Sequence, residues 1–118
     1  MKELLKHLTL VDFIVEIDEE IKSGKFQLKH NKSKGLQFLI DKNVKNKYDY
    51  YCLRIRKRCH DEFVIDKHLT IGNVTKVSSQ DIRDISLKKY HEFVLKKFGK
   101  SVEDFKQEKR KWETLSIN

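Results

Sequence analysis

Between Tyr50 and Gly72 the sequence YYCLRIRKRCHDEFVIDKHLTIG alternates, and this alternation limits the possible folds more than any other feature. Tyr51, Leu53 and Ile55 fall on one parity, Cys52, Arg54 and Arg56 on the other. Successive side chains of a strand point to opposite faces, so a period of two writes a strand with one apolar and one basic face. Arg58–Glu62 reads as a turn. Phe63–Ile71 then returns with Phe63, Ile65, Leu69 and Ile71 facing in and Val64, Asp66, His68 and Thr70 facing out. A hairpin alone is marginal in water, so the rest of the chain must cover its apolar face.

Upstream, Leu36–Asp41 alternates in the same way. Leu36, Phe38 and Ile40 take one face, Gln37 and Leu39 the other, which extends the hairpin to a three-stranded antiparallel meander. Asn31–Gly35 is its turn, Asn43–Lys47 a lysine-carrying loop, and Phe26–Lys29 a candidate short fourth strand. Three helices carry start signals. Thr9 and Asp12 are spaced as in a capping box and open a short N-terminal helix bearing Phe13, Ile14, Ile17 and Ile21, with Gly24 at its end. Glu16, Asp18, Glu19 and Glu20 form its polar side, which turns away from any phosphate. Ser78 and Asp81 open a second helix, whose Ile82, Ile85, Tyr90, Phe93, Val94 and Phe98 form a broad apolar arc up to Gly99. This helix is expected to lie across the sheet, opposite the arginines. Ser101 and Asp104 open a last helix, Val102–Trp112, which reads as a C-terminal helix or linker.

The expected fold class is therefore α+β: a three-stranded antiparallel sheet with a candidate fourth strand, covered on one face by a C-terminal helix. A short helix precedes the sheet. Residues 1–100 form the domain and 101–118 the appendage. A length of 118 residues fits one domain.

Charge is unevenly placed. The net charge is +8, yet residues 1–21 carry −4, residues 22–58 carry +10 and the remainder +2. A basic block confined to under a third of the chain either binds a polyanion or is simply solvated. Arg54, Arg56 and Arg58 recur every second residue on one strand face. Gln37, Tyr50, His68 and Thr70 share that face and can hydrogen-bond bases or phosphates, which favours binding. Lys45, Lys47 and Lys57 read as phosphate contacts from flanking loops. The partner expected from this chemistry is a nucleic acid.

Other classes are weaker. No run approaches the ~18 apolar residues of a membrane span, and the N-terminus is not a signal peptide, so a cytoplasmic protein with no membrane partner is expected. Two cysteines are too few for a secreted disulfide scaffold. Cys52, Cys59, His60 and His68 invite a zinc reading. The six-residue gap between the cysteines and the adjacent Cys59-His60 pair do not match linear ligand spacings, so no metal and no cofactor is expected. No glycine-rich phosphate loop or nucleophile elbow is present, and the chain is not expected to be an enzyme. A small ribonuclease using His60 or His68 with Arg54 is the weighed exception.

At Leu69–Arg83 the chain resembles the N-terminal arm-type DNA-binding domain of phage and genomic-island tyrosine recombinases, the integrases. The similarity spans roughly residues 8–100. It is carried by Gly35-Leu36, the aromatic–arginine alternation Tyr51–Arg56, Leu69–Gly72, and Ser78, Asp81 and Arg83. Leu8–Lys22 is similar to that family's leading helix. The loop Asn73–Val77 lacks the proline usual there, and the recombinase catalytic domain is outside these 118 residues. The resemblance therefore implies double-stranded DNA as the partner, with arm-site recognition by the sheet rather than strand cleavage. It also implies a recombinase catalytic domain or other recombination proteins as partners. The competing expectation is a small mobile-element regulator that binds a protein.

Overall fold

The structure is a computed structural model that describes residues 2–24, 30–31, 35–43, 48–78 and 80–117. One antiparallel sheet runs in the order β1 (His30–Asn31), β2 (Leu36–Asn43), β3 (Tyr48–Cys59) and β4 (Glu62–Asn73). Three helices, α1 (Lys2–Lys22), α2 (Ile82–Phe98) and α3 (Val102–Ile117), complete an α+β fold. The meander is as the alternation predicts, with longer strands. The strand expected at Phe26–Lys29 lies outside the described residues, and the two-residue β1 follows it.

Leu36, Phe38, Leu53, Ile55, Ile65 and Ile71 are buried on one sheet face. Gly35 ends the turn into β2 with φ at 79°. A Cβ there would stand 2.1 Å from the Arg56 carbonyl oxygen, so only glycine fits. Its own carbonyl accepts the Arg56 N–H at 2.8 Å, which fixes the β2–β3 register beside the arginines.

The tip of the hairpin is tighter than expected. Strand pairing continues to Cys59↔Glu62, leaving only His60 and Asp61 as the turn, with His60 at φ 58°. Near this tip the register shifts between Lys57 and Arg58, since Lys57 pairs with Ile65 while Arg58 pairs with Phe63. The extra residue, Val64, is a β-bulge, and a bulge reverses side-chain parity beyond it. Phe63, expected to face in, therefore stands on the arginine face and is 39% exposed.

Helix α1 is neither short nor opened by Thr9. It begins at Lys2, and Thr9 is half-buried within it. Leu, Lys and Glu before Thr9 are good helix formers and carry the helix through a site that merely spells a capping box. Val11, Phe13, Ile14, Val15, Ile17 and Ile21 are buried, and α1 touches β3, β4, α2 and α3. The cover over the sheet is thus shared between α1 and α2 rather than supplied by α2 alone. α3 joins the same core through Val102 and Phe105, each 1% exposed.

The caps differ in kind. Ser78 and Asp81 bond each other, Ser78 Oγ donating to Asp81 Oδ2 at 2.6 Å, and Asp81 makes no side-chain cap on α2. Ser101 and Asp104 form a true capping box: each backbone N–H donates to the other's side chain, at 3.0 and 3.1 Å.

Asp18, expected on the wetted side of α1, is fully buried. Its Oδ1 lies 2.5 Å from His91 Nε2 of α2. Its Oδ2 lies 2.7 Å from Lys106 Nζ of α3 and 3.1 Å from Lys22 Nζ. Burial pushes this carboxyl up, but the bonds from Lys106, His91 and Lys22 outweigh it and hold the group below its ordinary value. Beside it the Tyr90 hydroxyl donates to the Ile14 carbonyl at 2.7 Å. Burial, then the Asp18 charge, keeps that phenol protonated.

Candidate nucleic-acid interface

The register sets the arginine face in rows across three strands. Gln37 of β2, Arg54 of β3 and His68 of β4 are directly opposite one another, so they share a face. Leu39, Cys52 and Thr70 form the next row, then Asp41, Tyr50 and Asn73. In the other direction Arg56 pairs with Asp66 and Arg58 with Phe63. Seven of the expected residues, Gln37, Tyr50, Arg54, Arg56, Arg58, His68 and Thr70, therefore stand together on one side of the sheet. Lys57 belongs to β3 rather than to a loop, and its parity is that of Leu53 and Ile55; it is half-buried. Lys45 and Lys47 lie outside the described residues.

Phe63 gives the basic end its shape. The guanidinium carbons of Arg56 and Arg58 stand 4.7 and 4.3 Å from the centre of its ring, both within cation–π range. Gly35, Gln37, Arg54, Arg56, Lys57, Arg58 and Phe63 line an open cavity of about 390 Å³. The alternation could not reveal this role for Phe63, because the bulge that turns it outward leaves no mark in the period of two.

The three arginines are not equivalent. Arg56 Nε lies 3.6 Å from Asp66 Oδ1, an ion contact too long for a hydrogen bond, and that buried N–H has no hydrogen-bond partner among the described residues. A buried donor left unmade costs roughly 1–3 kcal/mol, which an incoming acceptor oxygen would offset. Arg54 and Arg58 have no carboxylate partner among the described residues. Guanidinium groups on one strand face that stay unneutralised raise the local potential for an anion.

At the other end of the face the surface changes character. Cys52 is 1% exposed, and its thiol is pushed up first by burial and then by the Asp41 charge. Both cysteines are free thiols. Cys59 is also buried, on the parity of Leu53 and Ile55.

These features define a sheet with one dry face and one arginine-bearing, aromatic-lined face. Comparison of the chain with protein-family models, with curated proteins and with solved structures finds no significant match. No helix among the described residues is long and apolar enough to cross a membrane.

Proposed function

We propose that this chain is a non-enzymatic module that binds duplex DNA through the arginine face of β2–β4, in the service of DNA integration or recombination. The observation that carries the reading is the cavity lined by Arg54, Arg56 and Arg58, where Arg56 and Arg58 stand over the Phe63 ring. A two-stranded β-ribbon fits the major groove, roughly 12 Å wide, where an arginine can fork onto guanine O6 and N7. Gln37 and His68 flank Arg54 and can add base or phosphate hydrogen bonds. The assignment to integration rests on the resemblance to arm-type domains, with a recombinase catalytic domain as the natural partner.

Binding to random duplex and to repeated element-end sequences, measured over a range of salt concentrations, tests this. Each neutralised phosphate contributes a log–log slope of about 0.9, so the dependence should be steep. Salt-insensitive binding, or none at low salt, ends the proposal.

A second reading is a regulator that binds a protein. It is favoured by Leu4 and Leu5, 52% and 44% exposed, which with Leu8 and His60 line an apolar hollow beside the hairpin tip. A stoichiometric protein partner together with no preferred DNA sequence would select this reading.

A further inference from the structure

We propose that Asp41, Cys52 and His68 form a binding site for a Zn²⁺-like divalent ion on the outer face of the sheet. Their donor atoms, a carboxylate oxygen, a thiol sulfur and an imidazole nitrogen, all lie within 4.8 Å of one another. No linear motif would show this set, because its members come from three different strands. The register explains how they meet. Cys52 of β3 is opposite Leu39 of β2 and Thr70 of β4, so Asp41 and His68 are its diagonal neighbours on the same face.

The donor set is chemically selective. Mixed sulfur, imidazole and carboxylate ligation suits zinc, whereas calcium and magnesium require oxygen alone. Zinc bonds of ~2.0–2.3 Å in a tetrahedron hold donors roughly 3.5 Å apart, so the three atoms need to draw in by about 1 Å. Asp41 and His68 are exposed and can rotate inward, while buried Cys52 forms a fixed floor. Three protein donors leave one position open, and it faces the side from which Asp41 and His68 are exposed. The expectation of no metal came from linear spacing around Cys52, Cys59, His60 and His68; Cys59 and His60 belong to the hairpin tip and take no part.

This inference does not depend on DNA binding. Titration of the chelator-treated full chain with Co²⁺, followed by absorption, tests it. One equivalent should give a thiolate-to-cobalt charge-transfer band with tetrahedral d–d bands, displaced by Zn²⁺. Cys52→Ser should remove the charge-transfer band and Cys59→Ser should keep it. Because Cys52 is buried and its variant can misfold, the exposed positions provide the second arm. Asp41→Ala and His68→Ala should each weaken binding by at least the ~10–100-fold that changes to surrounding residues already cost. Absence of a thiolate–cobalt band, or unchanged affinity in the Asp41 and His68 variants, overturns the site.

Discussion

Two clusters of charge in this molecule are handled in opposite ways. Among the helices, Asp18 is fully buried and met by two lysines and a histidine, one on its own helix and one on each of the other two. On the sheet, Arg54 and Arg58 have no carboxylate among the described residues, and Arg58 rests on an aromatic ring. The first arrangement uses opposite charge to hold three helices in register. The second leaves charge unspent on a rigid surface. A buried carboxylate must be paired or it would not stay ionised, whereas an exposed guanidinium costs little to leave unpaired. Pairing therefore marks the structural cluster, and its lack marks the candidate interface.

Breaking the helical cluster should have the largest effect. Asp18→Asn leaves Lys106 and His91 facing a neutral amide. Losing one member of a buried pair costs ~3–5 kcal/mol, and partly hydrated Lys22 and His91 place this case near ~3 kcal/mol. Urea denaturation should show a lower midpoint at unchanged slope. The pH dependence has a definite sign. The Asp18 carboxyl is depressed in the folded state and titrates near ~3.9 when unfolded, so its stabilisation is full above about pH 4. It is lost as pH falls through the lower folded value. Glu108, where bonds from His7 and Lys100 outweigh burial, acts in the same direction. The variant should lose less stability on acidification than the parent.

On the sheet the corresponding change should leave the fold intact. Arg54→Ala removes a side chain with no carboxylate partner among the described residues, so stability should stay within about 0.5 kcal/mol. Its effect should appear in binding, as a loss of ~1–3 kcal/mol of discrimination between preferred and random duplex. Equal weakening on both sequences would reassign Arg54 from base reading to phosphate contact.

How legible each cluster was in the sequence follows the same division. The arginine face was readable because a period of two survives folding unchanged wherever the ladder is regular. It failed at Phe63, where the bulge opposite Lys57 and Arg58 depends on pairing that no single strand encodes. Asp18 was misplaced for a different reason. It stands four residues after Ile14 and three before Ile21, on the apolar stripe of α1, but a carboxylate there reads as surface until its distant partners are known. Lys106 and His91 are 88 and 73 residues away. The true capping box and a false one were spelled alike, Ser101 with Asp104 and Thr9 with Asp12. Only the helix-forming run before Thr9 separates them. The donors Asp41, Cys52 and His68 were visible individually, and only strand register brings them together.

Between these extremes is Tyr90→Phe, which deletes one hydroxyl and leaves the Ile14 carbonyl without its donor. An unsatisfied buried acceptor costs roughly 1–3 kcal/mol, and the lower half of that range applies because the ring still fills its site. The same change removes a dipole near Asp18, so a double-mutant cycle with Asp18→Asn should show coupling. Strict additivity would detach Tyr90 from the charged cluster and leave it as packing.

A modest effect on stability, larger than that of Arg54→Ala, should come from Phe63→Ala, and this variant distinguishes charge from shape on the sheet. The ring is 39% exposed, so its loss removes only part of a side chain's buried area, and two cation–π contacts contribute ~0.5–1 kcal/mol each. Binding should respond differently from any arginine variant. No positive charge is removed, so the log–log salt slope should stay at the parent value while affinity falls at every salt concentration. Arg58→Ala should instead lower the slope by about 0.9 if Arg58 meets a phosphate. If Phe63→Ala changes the slope as Arg58→Ala does, the ring acts only by aiming the guanidinium at its phosphate. If it lowers affinity alone, the ring is itself part of the surface that meets DNA.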